Sequence, residues 1–297
     1  MCNKMYKRNQ QMYILIQMQN IFVSIVKWYS VSHRGNIMFH STLTKISGLM
    51  MGSFISFNSF SSDALSPGDS QSKWIVSGYA VSLNNIYEGE KDMTLVLPNV
   101  EYRGERFFIK DGEFGVRLYS PGDFSMGVML TGRASFLNDN KEYKDNSQLA
   151  GLQERDVSAE AGVYFIHNSN LGQLKVKLLD EVSDKHNGQR ADVNYVFDLS
   201  HKGWRINPSI GATWESKDMN NYYYGVSASE ANAQRAQYTA KASTSVKTAI
   251  NARYAMNDNW DLHMGAGYTL LGDGISDSSI VQDNEVVHAV LGATYNF

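Results

Sequence analysis

The feature that most constrains this chain is a hydrophobic period of two, sustained over segments longer than a soluble strand needs. It is clearest at 259–271. There Trp260, Leu262, Met264, Ala266, Tyr268 and Leu270 fall on one parity, and Asp261, His263, Gly265, Gly267 and Thr269 on the other. Successive strand side chains point to opposite faces, so the segment has one apolar surface and one polar or small one. The stretches 191–199, 204–214 and 238–254 repeat the pattern.

A soluble sandwich also alternates, so length and aromatic placement decide between the two. Membrane strands need about 9–11 residues, whereas soluble strands are usually nearer 5–6. Trp204 and Trp214, Tyr238 and Tyr254, and Trp260 and Tyr268 bracket their apolar faces. Aromatics at both ends of an apolar stripe are the girdles of a membrane barrel. The sequence therefore predicts an all-β, transmembrane, antiparallel up-and-down β-barrel. Weaker strands at 74–86, 93–102, 105–110, 113–119, 122–133, 157–166 and 171–182, with a last one at 286–297, bring the count to about twelve; ten is the alternative. The chain ends on Phe297, as such barrels do. With that end in the periplasm, the short connections (120–123, 167–172, 200–203, 256–259) fall inside. The long ones (134–156, 215–237, 272–285) fall outside.

The organisation before the barrel is read from composition. Residues 38–64 resemble a secretory signal, with the apolar run 46–57 and a small-x-Ala site at Ser62-Asp63-Ala64. Residues 1–37 read as an upstream extension or a mis-assigned start, and 65–297 as the barrel. The single cysteine is Cys2, so the barrel contains no disulfide. A net charge of -3, with no basic run beyond the first residues, leaves no nucleic-acid footprint.

Candidate functional residues fall into three groups. Leu291, Ala293, Tyr295 and Phe297, at two-residue steps, fit a signal read by the barrel-assembly machinery and equally a plain lipid-facing strand. Tyr222, Tyr223, Tyr224 and Gly225 open the loop at 215–237 and are candidates for a folded-in plug; Ala228–Gln237 has the composition of a short helix. Arg205, Lys241, Lys247, Arg253, Asp261, His263 and His288 take lumen parity, with Lys175, Lys177, Arg117 and Arg133 set against Asp192, Asp198 and Glu160. Opposite charges in a narrow barrel neutralise one another. A hydrolytic Asp-His pair at Asp261, His263 and His288 is disfavoured, because no nucleophile motif accompanies it. The acids Asp273, Asp277, Asp283 and Glu285 match no calcium spacing. No metal, cofactor or catalytic residue is assigned.

Several segments are similar to the MltA-interacting protein family, also called MipA/OmpV. The most specific is Asn221-Tyr-Tyr-Tyr-Gly-Val-Ser-Ala-Ser-Glu-Ala231. Others are Trp214-Glu-Ser, Tyr238, Asn259-Trp-Asp-Leu and the closing Gly292-Ala-Thr-Tyr-Asn-Phe297. Earlier pieces are Pro98–Ile109, Leu149–Arg155 and Lys185-His-Asn-Gly188; Ser278-Ser279-Ile-Val281 departs from the family's usual Ser-Pro pair. The resemblance implies a non-enzymatic outer-membrane barrel, in contact with lipid and lipopolysaccharide. It also implies a scaffold for a periplasmic lytic transglycosylase and a peptidoglycan synthase. A small-solute channel and a surface adhesin are the alternatives.

Overall fold

A computed structural model describes residues 74–296, apart from the side chains of Asn140 and Glu142. The expected extension at 1–37, the signal at 38–64, the segment 65–73 and Phe297 lie outside the described residues.

Thirteen strand segments form one antiparallel sheet. They are β1 (Trp74–Leu83), β2 (Met93–Arg103), β3 (Phe107–Lys110), β4 (Glu113–Tyr119), β5 (Phe124–Arg133), β6 (Ser158–Ser169), β7 (Gly172–Glu181), β8 (Gln189–Phe197), β9 (Leu199–His201), β10 (Trp204–Glu215), β11 (Ser243–Ala255), β12 (Trp260–Leu270) and β13 (Glu285–Asn296). β13 pairs with β1 and β10 with β11, so the sheet closes. β8 and β9 share one register on β10 and form a single stave, giving a twelve-stranded barrel. The stretch 93–119 thus resolves into three strands. No helix among the described residues is long and apolar enough to cross a membrane.

Alternation sets which face looks where. On β12, Asp261, His263 and Thr269 are buried inward while Trp260, Met264, Tyr268 and Leu270 are exposed outward. Outward aromatics pair across neighbouring strands at the periplasmic end. Trp74 meets Tyr102 at 4.8 Å, Trp204 meets Tyr254 at 4.8 Å, and Trp260 meets Tyr295 at 5.1 Å. This is one interfacial girdle. The turns at that end are short. At 202–203 both residues have positive φ (Lys202 47°, Gly203 83°), as a two-residue hairpin turn matching strand twist requires.

Two strand prolines sit where ladders are missing. Pro208 of β10 faces the break between β8 and β9, where it has no N–H to donate. The Asn207 side chain donates to the Phe197 carbonyl at 2.8 Å instead. Pro98 lies on β2, whose other edge is largely open. β2 pairs with β3 only at Tyr102↔Ile109 and Arg103↔Phe108. β3 has four residues and β4 seven, too few to span a bilayer, while β2 has eleven and β5 ten. The hairpin turns early at Asp111-Gly112 (φ 52° and 76°), a strong hairpin dipeptide. The wall is therefore low between β2 and β5.

The lumen is packed with side chains. Tyr79, Val81, Leu95, Leu97 and Val290 form one inward cluster, and Phe108, Met129, Tyr164, Ile166 and Leu179 another. Glycines make room for the large rings: a Cβ at Gly115 would sit 1.9 Å from the Phe108 ring, and one at Gly292 would sit 2.2 Å from Tyr79.

The structure moves several boundaries, three of them at the outer mouth. β1 ends at Leu83, before the expected 86, because Ile86 and Tyr87 turn into the loop core. β11 starts at Ser243, after the expected 238, so Tyr238 girdles nothing and instead bridges Val226 within the loop. The helix in that loop is at Lys217–Tyr224 and not at 228–237, where the chain runs in turns.

Candidate functional site: a capped outer mouth over a charged lumen

The outer loops fold onto one another. Fifteen buried side chains from 84–92, 134–157, 216–242, 271–284 and the start of β13 form a common core. It includes Tyr87, Leu137, Leu149, Met219, Tyr223, Tyr224, Ile275 and Ile280. Its main helix, α2 (Lys217–Tyr224), follows the short α1 (Asn140–Tyr143) in the preceding loop. The Ser216 side chain caps α2 by accepting from the Met219 N–H, and Asp218 sits in the first turn, where the helix dipole favours a negative charge. This helix turns Met219, Tyr223 and Tyr224 into the core, while α3 (Asp273–Ser276) brings in Ile275.

Buried charge stitches the cap. The Arg235 guanidinium donates to the carbonyls of Gln148 at 2.6 Å and of Glu230 at 2.6 Å. Glu230 accepts from Gln153 N–H at 3.0 Å and from Ser227 N–H at 2.9 Å, and pairs with Arg155 at 3.1 Å. Burial alone would raise the Glu230 carboxyl. These donors and the Arg155 charge outweigh it and hold the group down at about 2. His186, in the 182–188 loop, accepts at Nδ1 from Gly188 N–H (3.0 Å) and faces Ser158 Oγ with Nε2 (3.3 Å). Burial, then the positive charge of Arg133, push it down to about 4. Arg133 pairs with Glu215 and lies 4.5 Å over the Tyr223 ring. Arg133 thus ties the cap to the barrel, as do the bonds of Tyr223 with Ser158 and of Asn220 with Ser243.

Below the cap, the inward charges pair. Arg190 meets Glu160 at 2.7 Å, Lys247 meets Asp192 at 3.3 Å, Arg253 meets Asp261 at 2.9 Å, and Lys177 meets Glu113. Arg205 is near Asp198 (3.8 Å) at the periplasmic end. His263 packs edge-on against Tyr79 at 5.9 Å, and His288 is buried on β13 beside Gly267. Lys241 is a correction: it precedes β11 and is exposed in the outer loop, because the strand parity that put it in the lumen does not extend that far. Leu291, Ala293 and Tyr295 share the outward face of β13, opposite the inward His288, Val290 and Thr294. Sequence reasoning missed Arg235 and Glu230. The two lie five residues apart in one loop, and what the sequence does not show is that the loop at 134–157 supplies their other partners, Gln148, Gln153 and Arg155.

Residues 77–297 match the family described as MltA-interacting protein MipA. The chain belongs to this family. It is 28% identical over 202 residues to the MltA-interacting protein of Escherichia coli (strain K12), covering 68% of this chain and 81% of that protein. It is 27% identical over 203 residues to outer membrane protein OmpV of Vibrio cholerae, covering 68% of this chain and 72% of that protein. Among solved structures it is similar to the translocator domain of the autotransporter NalP from Neisseria meningitidis, with TM-score 0.41 and 11% identity. That match covers 80% of this chain and 92% of that one. This family member is an outer-membrane β-barrel.

Proposed function

We propose that the protein is a structural member of the envelope that holds peptidoglycan-remodelling enzymes, a lytic transglycosylase and a peptidoglycan synthase, against the outer membrane. The observation that carries this reading is the filled lumen under a cored cap. With a packed lumen and a cored cap, the body of the molecule offers a partner its rim and leaves little for transport. The periplasmic rim carries apolar side chains that a membrane strand does not need: Leu171, 71% exposed, in the 170–171 turn and Met256, 59% exposed, in the 256–259 turn. The name of the Escherichia coli relative points to the same class of partner. The reading assigns no catalytic role. It leaves Leu291, Ala293 and Tyr295, with Phe297, as the strand presented to the assembly machinery.

Affinity capture from solubilised envelopes, using a tag near residue 66, tests the scaffold. Recovery of a lytic transglycosylase that is lost in a Leu171→Asp/Met256→Asp variant is the expected result. Capture without any cell-wall enzyme would sink the reading.

A further inference from the structure

The cap carries a cavity for which a periplasmic scaffold has no use. It opens on the outer side, between residues 153–155 of one loop and 221–239 of another, and measures about 280 Å³. Ligand pockets usually begin at roughly 300 Å³, so this one suits a small molecule or the end of a chain.

Its walls are fixed by contacts among themselves. Arg155 donates to the Gly225 carbonyl at 3.1 Å and pairs with Glu230 at 3.1 Å, which ties the two loops together. Val226 and Tyr238 exchange both backbone hydrogen bonds (2.8 and 3.0 Å), so they offer an extended peptide no ladder. The Tyr238 hydroxyl donates to the carbonyls of Asp273 and Gly274, and the Tyr222 ring meets Tyr223 edge-on at 5.0 Å. Two half-buried rings are thus held at the cavity in advance, which reduces the entropy lost on binding.

The lining selects against charge. Its ionic groups are one guanidinium and two carboxylates, those of Arg155, Glu154 and Glu230. Arg155 and Glu230 are engaged with each other and with backbone groups, so no surplus cation awaits an anion. The side chains of Gln153, Gln237 and Thr239 make no hydrogen bond to the described residues. Asn221 accepts from the Ala240 N–H at 3.1 Å, and that bond leaves its amide NH₂ free. Amides and hydroxyls both donate and accept, which matches a ligand whose own groups do the same. Sugar hydroxyls are of this kind. Tyrosine rings, negative on their faces, suit the C–H face of a pyranose.

We propose that this cavity binds a neutral saccharide of one or two rings, presented from outside the cell. The amides of Gln153, Asn221 and Gln237 bond its hydroxyls, and Tyr222 and Tyr238 receive its C–H face. The site lies at the opposite end of the barrel from the periplasmic rim and stands whether or not the scaffold reading does.

The test is titration of methyl glucoside, methyl galactoside and lactose onto full-length protein refolded into phospholipid nanodiscs, read by saturation-transfer NMR. Saturable binding of at least one of them with a Kd of about 1 mM is expected. Glucuronate, a sugar ring bearing a carboxylate, should bind more weakly. The Tyr222→Ala/Gln237→Ala variant should lose about tenfold in affinity. A Thr239→Cys variant keeps both groups, and the sugar should slow its alkylation by maleimide. Peptide mapping separates that label from Cys2, the single native cysteine. This readout stands alone if the double variant fails to fold. Absence of saturable binding by all three sugars would overturn the proposal. So would tighter binding of glucuronate or of trialanine, unaltered affinity in the folded double variant, or alkylation at position 239 that the sugar leaves unchanged. Displacement by oligosaccharide released from lipopolysaccharide would place the source in the protein's own leaflet. Failure of that oligosaccharide to displace a bound sugar would place it in free or host glycans, and either source supports the site.

Discussion

A guanidinium buried as deeply as that of Arg235, 2% exposed, must satisfy its donors locally, and it does so on carbonyls from two loops. Arg235→Ala strands those acceptors at a cost of about 1–3 kcal/mol each. The variant should keep the heat-resistant electrophoretic mobility of a closed barrel, yet be cut by protease within 216–242. Glu230 and His186 make the same cap sensitive to acid. Glu230 titrates in the fold near 2, against an ordinary 4.5, so its contribution is complete above 4.5 and lost as pH falls toward 2. His186 is held neutral down to about 4, against an ordinary 6.5; unfolded chains take up the proton first, so its contribution is lost between 6.5 and 4. Cap proteolysis should therefore quicken in two stages on acidification. A His186→Gln variant should lack the upper one, and a single unbroken transition in the parent protein would contradict both assignments.

At the scale of strands, Asn207 and Pro208 act as a unit: the proline removes a ladder donor and its neighbour's amide replaces it. Asn207→Ala should lower the urea midpoint, by about 1 kcal/mol in stability, and Pro208→Ala should make that loss smaller by restoring an N–H. A double-mutant cycle showing no coupling would refute the compensation. Gly115→Leu should abolish folding into the membrane, because its side chain would occupy the Phe108 ring. Most staves were legible in the sequence, since lipid on one side and lumen on the other impose the period of two on each. The alternation misleads at 238–242, where Tyr238 and Ala240 keep strand parity but bury against loops. A period reports that a residue is covered, and it is silent on what covers it. α2 was missed for a related reason: its only local start signals are Ser216 and Asp218, and its helical face exists for a core built by distant segments. The pairing of lumen charges, such as Arg253 with Asp261, followed from parity on adjacent strands. Arg235 with Gln148, and Glu230 with Arg155, had no such guide.

For the whole molecule, a filled lumen under a cored cap should conduct no steady current in a planar bilayer. Excising 218–240 removes α2, Glu230 and Arg235 together, and transient openings should then appear. A large steady conductance in the intact protein would contradict the packing described for its lumen. The seam between β1 and β13 sets a different kind of limit. Ser77 and Thr294 share a hydrogen bond of 2.8 Å across 217 positions of sequence. The first stave cannot find its partner until the last has been made and delivered, so closure waits on the end of the chain. Throughout that interval the growing sheet has two raw edges, each a template for the wrong neighbour. Time spent unclosed is thus the hazard built into this topology, and its duration is governed by the final twelve residues of β13.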